Sequence, residues 1–257
     1  MEILIGIIIF IYGTVFGSFF NVVGYRLPNN LSLIKPRGSF CPNCKHELRW
    51  YELIPILSFL IQRGKCTNCK RKIAIFYPLI ETLTGILFLS SYIFFGISTE
   101  FVIGLLLSSY FVIVIVSDGK YMIIPDSVTL FFGTAIILVQ IFTYGPADTL
   151  MYIVNGIALF GIIFVFMKIT TMLFKKESLG GGDIKLEFVV GLTIGLVNGL
   201  FSIFIGSLLA LPIALLNQKR NKTNVIAFGP FLLLGALIVY FFNLDIISIL
   251  KDLSYLF

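Results

Sequence analysis

The sequence predicts an all-α polytopic membrane protein with about eight transmembrane helices and a small cytoplasmic zinc-ribbon-like insertion between the first and the second. Hydrophobic residues make up 58% of the 257 residues and charged residues only 12%, whereas soluble domains average about 25% charged residues. The charged residues are concentrated between long apolar runs, and two C-x2-C pairs lie in the one long polar segment. This composition excludes an ordinary soluble enzyme, a disordered chain and a secreted disulfide scaffold.

Long runs with few charges predict the membrane helices, because about 20 mostly apolar residues cross a bilayer core. The predicted spans are residues 3–25, 73–95, 101–117, 127–147, 149–174, two spans within 188–218, and 223–244. The run 188–218 holds no charged residue and is too long for one straight helix. The dipeptide Asn198-Gly199 favours a tight turn, so we expect it to separate the sixth helix from the seventh.

The placement of the charges predicts the domains and their orientation. Residues 1–25 form the first transmembrane helix, residues 26–72 a cytoplasmic zinc-binding domain with four cysteine ligands, and residues 73–257 a seven-helix membrane domain. Segment 26–72 contains 10 of the 19 Lys and Arg residues, and such residues mark the cytoplasmic side of membrane proteins. Alternation places both termini outside and puts three further basic loops on the cytoplasmic side, at 118–126, 175–187 and 217–222. We therefore expect a multi-pass protein of the cytoplasmic membrane.

All four cysteines lie in the polar segment between the first two spans, as the pairs Cys41/Cys44 and Cys66/Cys69. Two C-x2-C pairs can each bind one side of a tetrahedral Zn(II) ion, and cytoplasmic proteins rarely contain disulfides. We therefore expect a structural zinc ion, with disulfides or redox or unligated thiols as the alternatives. Four thiolates leave no open position for water, so this metal would stabilise the fold. His46, the only histidine, is a less favoured ligand.

The basic charge of the zinc domain has two interpretations. Zinc ribbons often bind nucleic acid, but this domain has few aromatic residues besides Trp50 and Tyr51 and is tethered next to anionic lipid. Contact with the membrane surface or docking of a substrate is therefore the favoured use of the charge. We expect no nucleic-acid partner.

Two carboxylates are expected at the cytoplasmic ends of membrane helices, Asp118 after the third span and Asp183 before the sixth. Carboxylates near membrane helices are costly and tend to be functional. Two carboxyl groups a few ångströms apart share a proton, so the ionised one can activate water and the protonated one can protonate a leaving amine. The pattern predicts an aspartic protease dyad. Gly180 and Gly182 would let an extended substrate approach the backbone.

Each carboxylate also has a purely structural interpretation. Asp118 could be a helix-end residue solvated by headgroups, and Asp183 could be a helix N-cap, a position that aspartate favours. Asp126 is a rival for the second acid, although its place after Ile124-Pro125 favours an N-cap. Glu81 inside the second span is interpreted as a group that hydrogen-bonds between helices, with a catalytic role as the alternative.

Several motifs occur in a fixed order over nearly the whole chain. They are GSFFNVVGYRLP at 17–28, the two C-x2-C pairs, YPLIETLTG at 77–85, Asp118 eight residues before Asp126, GGGD at 180–183 and FGPF at 228–231. Together they resemble the motifs of the prepilin peptidases, the type IV leader peptidases of the GxGD aspartic membrane protease class. By this resemblance, Asp118 and Asp183 are the catalytic aspartates. Tyr51-Glu52-Leu53 and Gly181 depart from the commoner pattern.

The resemblance implies an intramembrane aspartic endopeptidase that removes the short basic leader from prepilins and pseudopilins, after a glycine and usually before a phenylalanine. The partners would then be the prepilin helices and the lipid bilayer. Many family members also N-methylate the new amino terminus, using S-adenosylmethionine. The chain contains no Rossmann-type G-x-G-x-x-G after a strand, so methylation is implied by the resemblance alone.

The main alternative function is a polytopic transporter that uses Asp118, Glu81 and Asp183 as a polar pathway. Transporters usually contain two matching halves with a site near the middle of the membrane, whereas these carboxylates are expected at one face and no half-repeat is visible. A second alternative is a non-catalytic membrane scaffold whose zinc domain binds partners. That hypothesis leaves the paired aspartates without a purpose. The sequence does not indicate an oligomeric state.

Overall fold

A computed structural model describes residues 1–35, 38–175, 179–221, 226–246 and 248 of the protein. The regular structure of these residues is helical, with two isolated antiparallel bridges and no β-strand. The α-helices are α1 (Glu2–Arg26), α2 (Leu57–Ile61), α3 (Phe76–Phe95), α4 (Thr99–Tyr121), α5 (Asp126–Tyr144), α6 (Pro146–Phe174), α7 (Gly181–Asn221) and α8 (Gly229–Phe241). A 3₁₀ turn, Trp50–Leu53, precedes α2.

Six helices, α1 and α3 to α7, are long and apolar enough to cross a membrane, counted over the described residues. Helix α8 is apolar but shorter, with 13 residues. Runs of Ile, Leu, Val and Phe form helices here because a helix satisfies its own backbone hydrogen bonds where water is absent. The prediction of an all-α polytopic membrane protein is confirmed, with the cysteine segment between α1 and α3.

Helix α7 contains the break expected between the sixth and seventh spans, but at a different residue. Gly195 has φ 79° and ψ 176°, a conformation that residues with a Cβ rarely adopt. The kink therefore lies at Gly195, three residues before the expected turn at Asn198-Gly199, and that position was wrong. We call residues 181–194 the first arm of α7 and residues 196–221 the second arm.

Asn198 and Gly199 have other roles in the second arm. The side-chain oxygen of Asn198 accepts a hydrogen bond from the N–H of Ile246 over 3.3 Å. A Cβ on Gly199 would lie 2.5 Å from the side chain of Leu159 in α6. Asn198 thus bonds to the chain after α8, and Gly199 allows a close approach to α6. Neither role involves a turn.

Each arm of α7 approaches a neighbouring helix closely at a glycine. A Cβ on Gly191 in the first arm would lie 2.8 Å from Cα of Gly156 in α6, and one on Gly206 in the second arm would lie 2.6 Å from the carbonyl oxygen of Phe231 in α8. Small residues allow membrane helices to approach this closely. The first arm is thus held against α6, while the second arm, which also meets α6 at Gly199, positions α8.

The eighth predicted span, 223–244, corresponds to the shorter helix α8. Residues 223–225 lie outside the described residues, and α8 begins at Gly229, with Pro230 in its first turn. Proline is favoured there because its missing N–H has no partner in a first turn. The eight predicted membrane segments therefore correspond to α1, α3 to α6, the two arms of α7, and α8.

Both predicted catalytic aspartates lie at the same end of the bundle. Asp118 is in the last turn of α4 and Asp183 in the first turn of α7. Glu100, in the first turn of α4, precedes Asp118 by eighteen residues, which is about 27 Å of helix and close to the thickness of a bilayer core. We call these two ends the aspartate end and the Glu100 end.

Helix α4 lies at the centre of the bundle and fixes the position of Asp118. Tyr110, Val112 and Val114 have no exposed surface. The buried hydroxyl of Tyr110 is hydrogen-bonded to Oγ1 of Thr129 in α5 over 2.9 Å. Asp118 is thus carried by a helix that is packed on all sides.

Candidate active site and metal centre

The aspartate end brings together Asp118, Asp183 and the backbone of Gly229. The N–H of Gly229 donates a hydrogen bond to Oδ2 of Asp118 over 3.2 Å. A Cβ on Gly229 would lie 3.2 Å from that oxygen and 3.2 Å from Oδ1 of Asp183. The two oxygens are therefore separated by no more than twice this distance. Three helices, α4, α7 and α8, contribute to one site whose geometry is compatible with a dyad that shares a proton.

The ends of α4 and α7 orient the two carboxylates. Met122 ends α4 in a left-handed conformation, with φ 55°, and its N–H donates to the carbonyl of Asp118 over 2.9 Å. The N–H of Asp183 donates to the carbonyl of Gly180 over 3.1 Å. Asp118 is buried and Asp183 is half-buried. Water or a substrate therefore reaches the pair more readily from the side of Asp183.

The glycines before Asp183 differ in the space around them. A Cβ on Gly180 would lie 3.2 Å from Oδ2 of Asp183, and one on Gly182 would lie 3.0 Å from Cβ of Ile124. A Cβ on Gly181 would meet nothing within 4 Å. The two glycines that define the GxGD pattern are thus in tight surroundings, and the variable position is open. The role of Gly180 and Gly182 in admitting a substrate stays a prediction.

Asp126 is paired with a lysine and does not join the dyad. Both of its carboxylate oxygens accept hydrogen bonds from Nζ of Lys185 over 2.7 Å. The two side chains are 71% and 49% exposed, so the ion pair contributes little to stability. Asp126 is also the first residue of α5, whose N-cap is Pro125. It is therefore a suitable comparison acid near the site.

Glu187 is a buried carboxyl group that the charge pattern assigned to a loop. The sixth span was predicted to begin after it, but α7 begins at Gly181 and Glu187 is only 1% exposed. Neither of its oxygens has a hydrogen-bond partner among the described residues. It follows Asp183 by one helical turn, on the same face. The spacing of four residues between Asp183 and Glu187 was the sequence signal that could have placed Glu187 on the same helix face as Asp183.

Replacing Gly229 by Ala is expected to slow leader removal by about 10- to 100-fold, since overpacking of a tight site costs about 1–3 kcal/mol. The new Cβ would lie 2.7 Å from Cδ1 of Ile124 and would push against both carboxylates. Gly119→Ala is the matched control, because a Cβ there would meet nothing within 4 Å. Cleavage rates of a prepilin in membrane vesicles test this. A Gly229→Ala variant as fast as Gly119→Ala would contradict the assigned geometry.

The four cysteine sulfurs form a cluster that suits zinc. All four Sγ atoms lie within 4.8 Å of one another. The Sγ atoms of Cys41 and Cys69 are 3.8 Å apart, and those of Cys44 and Cys66 are 3.9 Å apart. Zn–S bonds of about 2.3 Å in tetrahedral geometry place sulfurs about 3.8 Å apart. The donor set and its spacing therefore fit a closed Zn(II) site.

The two C-x2-C pairs have the same local structure, repeated after 25 residues. In each knuckle the residue after the second cysteine, Lys45 or Lys70, has φ 59° and donates its N–H to the carbonyl of the first cysteine. The side-chain amide of Asn43 donates a hydrogen bond to Sγ of Cys69 over 3.6 Å, and that of Asn68 donates one to Sγ of Cys44 over 3.8 Å. Each bond runs from one knuckle to the other. The module is thus an approximately two-fold pair of knuckles.

Hydrogen bonds to sulfur favour the thiolate form that binds metal. The backbone N–H of Arg71 and the side-chain amide of Asn43 lower the pKa of Cys69 to about 6. A backbone hydrogen bond at Cys44 and a second at Asn43 lower the pKa of Cys41 against the opposing effect of burial. Thiolates are the metal-binding form of cysteine, so the backbone prepares Cys41 and Cys69 for a cation. At Cys44 the backbone hydrogen bond of His46 lowers the pKa, but burial and the neighbouring thiols outweigh it and raise the pKa.

Glu52 joins the two knuckles, a role that its sequence position did not reveal. Its carboxylate accepts hydrogen bonds from the hydroxyl of Thr67, from the backbone N–H of Arg49 over 2.8 Å, and from Nε2 of His46 at 3.3 Å. Burial opposes ionisation of Glu52, but these hydrogen bonds outweigh it and lower its pKa. A lowered folded-state pKa stabilises the fold at neutral pH, and this contribution is lost as the pH falls through that value.

Replacing Glu52 by Ala is expected to speed the release of zinc to a chelator by about 10- to 100-fold, since hydrogen bonds to a charged group are worth about 1.5–3 kcal/mol. Glu47→Ala is the control, because Glu47 is an exposed acid in the same module. The measurement is the rate of zinc loss from the full-length protein at neutral pH. Equal rates for the two variants would exclude Glu52 as the link between the knuckles.

Arg26 connects the end of α1 to the zinc module. Its side chain is buried, and its guanidinium donates to the carbonyls of Ser32 and Leu33 over 3.1 Å and to that of Gly38 over 2.9 Å. These bonds fold the chain after α1 back onto the helix end. They give a structural reason for the arginine in the Arg26-Leu27-Pro28 motif.

Comparison with known proteins agrees with this arrangement. Residues 11–95 match the family model of the bacterial peptidase A24 N-terminal domain, and residues 105–215 match that of the type IV leader peptidase family. A prepilin leader peptidase/N-methyltransferase of Bacillus subtilis is 36% identical over 245 residues, with 94% of this chain and 96% of the relative covered. Relatives of the same name from Neisseria gonorrhoeae and Vibrio cholerae are 31% and 32% identical, with 91% and 94% of this chain and 89% and 98% of the relatives covered. No solved structure gives a significant match.

The matched ranges contain all the site residues predicted from the sequence. The first range includes the four cysteines, and the second includes Asp118, Asp183, Gly180 and Gly182. Gly229, which the structure adds, lies beyond both ranges. The transporter alternative has no support from any relative. The chain belongs to the type IV leader peptidase family.

Proposed function

We propose that the protein is an aspartic endopeptidase that removes the short basic leader from prepilins and pseudopilins within the membrane. The observation that carries this proposal is the convergence of Asp118 and Asp183 on Gly229, with their oxygens near one point. Relatives that cover most of the chain are named prepilin leader peptidases. A paired-carboxylate site together with those names supports peptide hydrolysis.

The chemistry follows from two carboxyl groups that share one proton. The ionised carboxylate takes a proton from water, and the water oxygen attacks the carbonyl carbon of the scissile peptide bond. The protonated carboxyl group stabilises the oxygen that becomes negative and then donates its proton to the leaving nitrogen. The N–H of Gly229 holds Oδ2 of Asp118 in place, and Asp183, the less buried of the two, would be the first to meet water and substrate.

We assign the aspartate end to the cytoplasmic side of the cytoplasmic membrane. The segment 26–72, with 10 of the 19 basic residues, connects the aspartate ends of α1 and α3. Basic segments remain in the cytoplasm during insertion. A prepilin enters as a single amphipathic helix with a basic cytoplasmic leader, so its cleavage site would lie at this depth.

The zinc ion is proposed as a structural cofactor of residues 26–72. Cys41, Cys44, Cys66 and Cys69 would hold it, and four thiolates exclude a catalytic water. This domain is small and has little apolar core of its own, so metal binding would supply much of its folding free energy.

N-methylation of the new amino terminus is proposed from the names of the relatives. S-adenosylmethionine would supply the methyl group. One open cleft of about 550 Å³ lies at the Glu100 end and includes Phe95 and Phe242, and another lies beside the start of α1 and includes Phe10. Neither lies near the aspartates, so we assign no residue of this chain to the methyl donor.

The proposed function is tested by mass spectrometry of the amino terminus of a prepilin produced together with the full-length protein. The host should lack a leader peptidase of its own. We expect a pilin that begins directly after the glycine of the cleavage site and carries one added methyl group. A prepilin that keeps its leader in the presence of the folded protein contradicts peptidase activity. A cleaved pilin without the methyl group would remove only the second activity.

A further inference from the structure

A short apolar segment inside the predicted cytoplasmic domain is held against the membrane helices. Residues 54–61, which comprise Ile54, Pro55, Ile56 and helix α2 (Leu57–Ile61), carry no charge. Glu52 precedes the segment and Arg63 follows it. We call residues 54–61 the apolar segment.

The apolar segment reaches past the level of the aspartates into the bundle. The N–H of Ile56 donates to Oε2 of Glu81 over 2.8 Å, and Glu81 is buried in the second turn of α3. Glu81 lies level with Gly17 of α1, since a Cβ on Gly17 would be 2.8 Å from Cα of Glu81.

The position of Gly17 along α1 indicates how deep Glu81 lies in the bundle. Gly24, which contacts Val116 two residues before Asp118, is seven residues further along α1. Seven residues correspond to about 10 Å of helix. Gly17, and Glu81 beside it, therefore lie nearer the middle of the bundle than Asp118.

The outer face of the apolar segment is uncovered by the described part of the chain. Leu57, Leu60 and Ile61 are 56%, 62% and 78% exposed. Exposing such apolar side chains to water is unfavourable. The neighbouring helix α3 also exposes apolar side chains, such as Leu79 at 56%, at this depth. The uncovered face resembles in character the exposed apolar surface of α3, a helix long and apolar enough to cross a membrane.

The backbone and the flanking residues suit a membrane interface. Within the segment, the N–H of Leu60 donates to the carbonyl of Ile56 over 3.1 Å, so this amide has a partner without water, as insertion into lipid requires. Trp50 and Tyr51 are exposed just before the segment, and aromatic residues of this kind are enriched at the headgroup level. The apolar segment is therefore preceded by exposed aromatic residues of the kind found at the headgroup level.

We propose that residues 54–61 form a re-entrant membrane anchor whose outer face, at Leu57, Leu60 and Ile61, contacts lipid acyl chains. Glu81 is a positioning residue that holds the anchor by its bond to Ile56. The anchor docks the zinc module on the bilayer beside α1 and α3 rather than leaving it on two free linkers. This goes beyond the proposed peptidase activity and does not depend on it. It also reduces the part of segment 26–72 that lies in water.

Single-tryptophan fluorescence tests the anchor directly, because Trp50 is the only tryptophan of the chain. In a Trp50→Phe background, Ile61→Trp places the reporter on α2. Leu130→Trp, at a position of α5 that is 69% exposed, is the lipid reference, and Glu47→Trp, at an exposed position of the zinc module, is the water reference. The proteins are reconstituted in vesicles of phosphatidylcholine and phosphatidylglycerol, with and without brominated acyl chains. Iodide is the aqueous quencher.

The ratio of quenching by brominated lipid to quenching by iodide decides the outcome. We expect the ratio for Ile61→Trp to be close to that of Leu130→Trp, with a blue-shifted emission. A ratio closer to that of Glu47→Trp overturns the proposal. No prepilin is involved, so this result and the test of peptidase activity can fail separately.

The role of Glu81 is tested in the same Ile61→Trp protein. Glu81→Ala removes the acceptor for the Ile56 N–H and should shift the quenching ratio toward the water reference. Glu81→Gln keeps an acceptor oxygen and should leave the ratio nearly unchanged. Zinc content, measured on each variant, reports that the cysteine module is folded. An unchanged ratio in Glu81→Ala with full zinc content excludes the positioning role.

Discussion

Asp118→Asn and Asp183→Asn should each stop leader removal while the folded protein stays in the membrane. Each substitution keeps the shape of the side chain but removes the group that exchanges a proton with water or with the leaving amine. Positioned acid and base groups contribute about 10²- to 10⁴-fold each to such reactions, so cleavage should fall by at least about 100-fold. The measurement is the single-turnover cleavage rate of a prepilin in vesicles that contain equal amounts of each variant.

Asp126→Asn is the matched control for the dyad. Asp126 is the same residue type near the same end of the bundle, but its carboxylate is exposed and paired with Lys185. Its replacement should leave the cleavage rate within about a factor of two, because exposed ion pairs are worth less than about 1 kcal/mol. Normal cleavage by Asp118→Asn or Asp183→Asn would refute the assigned dyad. An equal loss in all three variants would show that the effect is not specific to the pair.

Replacing Cys66 by Ser should remove the zinc ion and unfold the cysteine module. Apparent binding free energies of structural zinc in small peptides are about 10–16 kcal/mol at neutral pH, which is far more than this small module can replace by burial of apolar surface. Metal analysis of the purified full-length protein should give one zinc per chain for the wild type and none for Cys66→Ser. Limited proteolysis should then cut between α1 and α3.

His46→Ala is the companion variant, because His46 is the alternative ligand in the same module. The structure pairs Nε2 of His46 with Glu52, and the four Sγ atoms form the cluster without it. His46→Ala should therefore keep one zinc per chain. Loss of the metal from His46→Ala together with its retention in Cys66→Ser would overturn the assignment of the four cysteines as the ligands.

The features that depend on composition and local spacing were predictable from the sequence. Long uncharged runs mark the membrane helices because charged side chains are excluded from lipid, and the C-x2-C spacing marks the metal site because four thiolates suit Zn(II). Asp118 and Asp183 were noticed because carboxylates are rare beside membrane helices. The structure then brought these two side chains to one end of the bundle.

The features that depend on packing could not be predicted in this way. The kink is at Gly195 because the chain needs a positive φ there, while the stronger turn signal, Asn198-Gly199, packs on α6 and holds the chain after α8. Gly229 was part of the FGPF motif, but its contact with Asp118 was not predicted, because that contact joins residues 111 positions apart. Glu52 lies in a segment that departs from the family pattern, and only its three partners reveal its role.

The contact between Gly229 and Asp118 has a consequence for biosynthesis. Membrane proteins are synthesised and inserted from the amino terminus, so α4 and the first arm of α7 are made before α8. A nascent chain that has reached only the second arm of α7 carries both aspartates but no donor for Oδ2 of Asp118. The proposed catalytic pair therefore gains the Gly229 donor only when α8, the last helix described, has been made and has packed on α4.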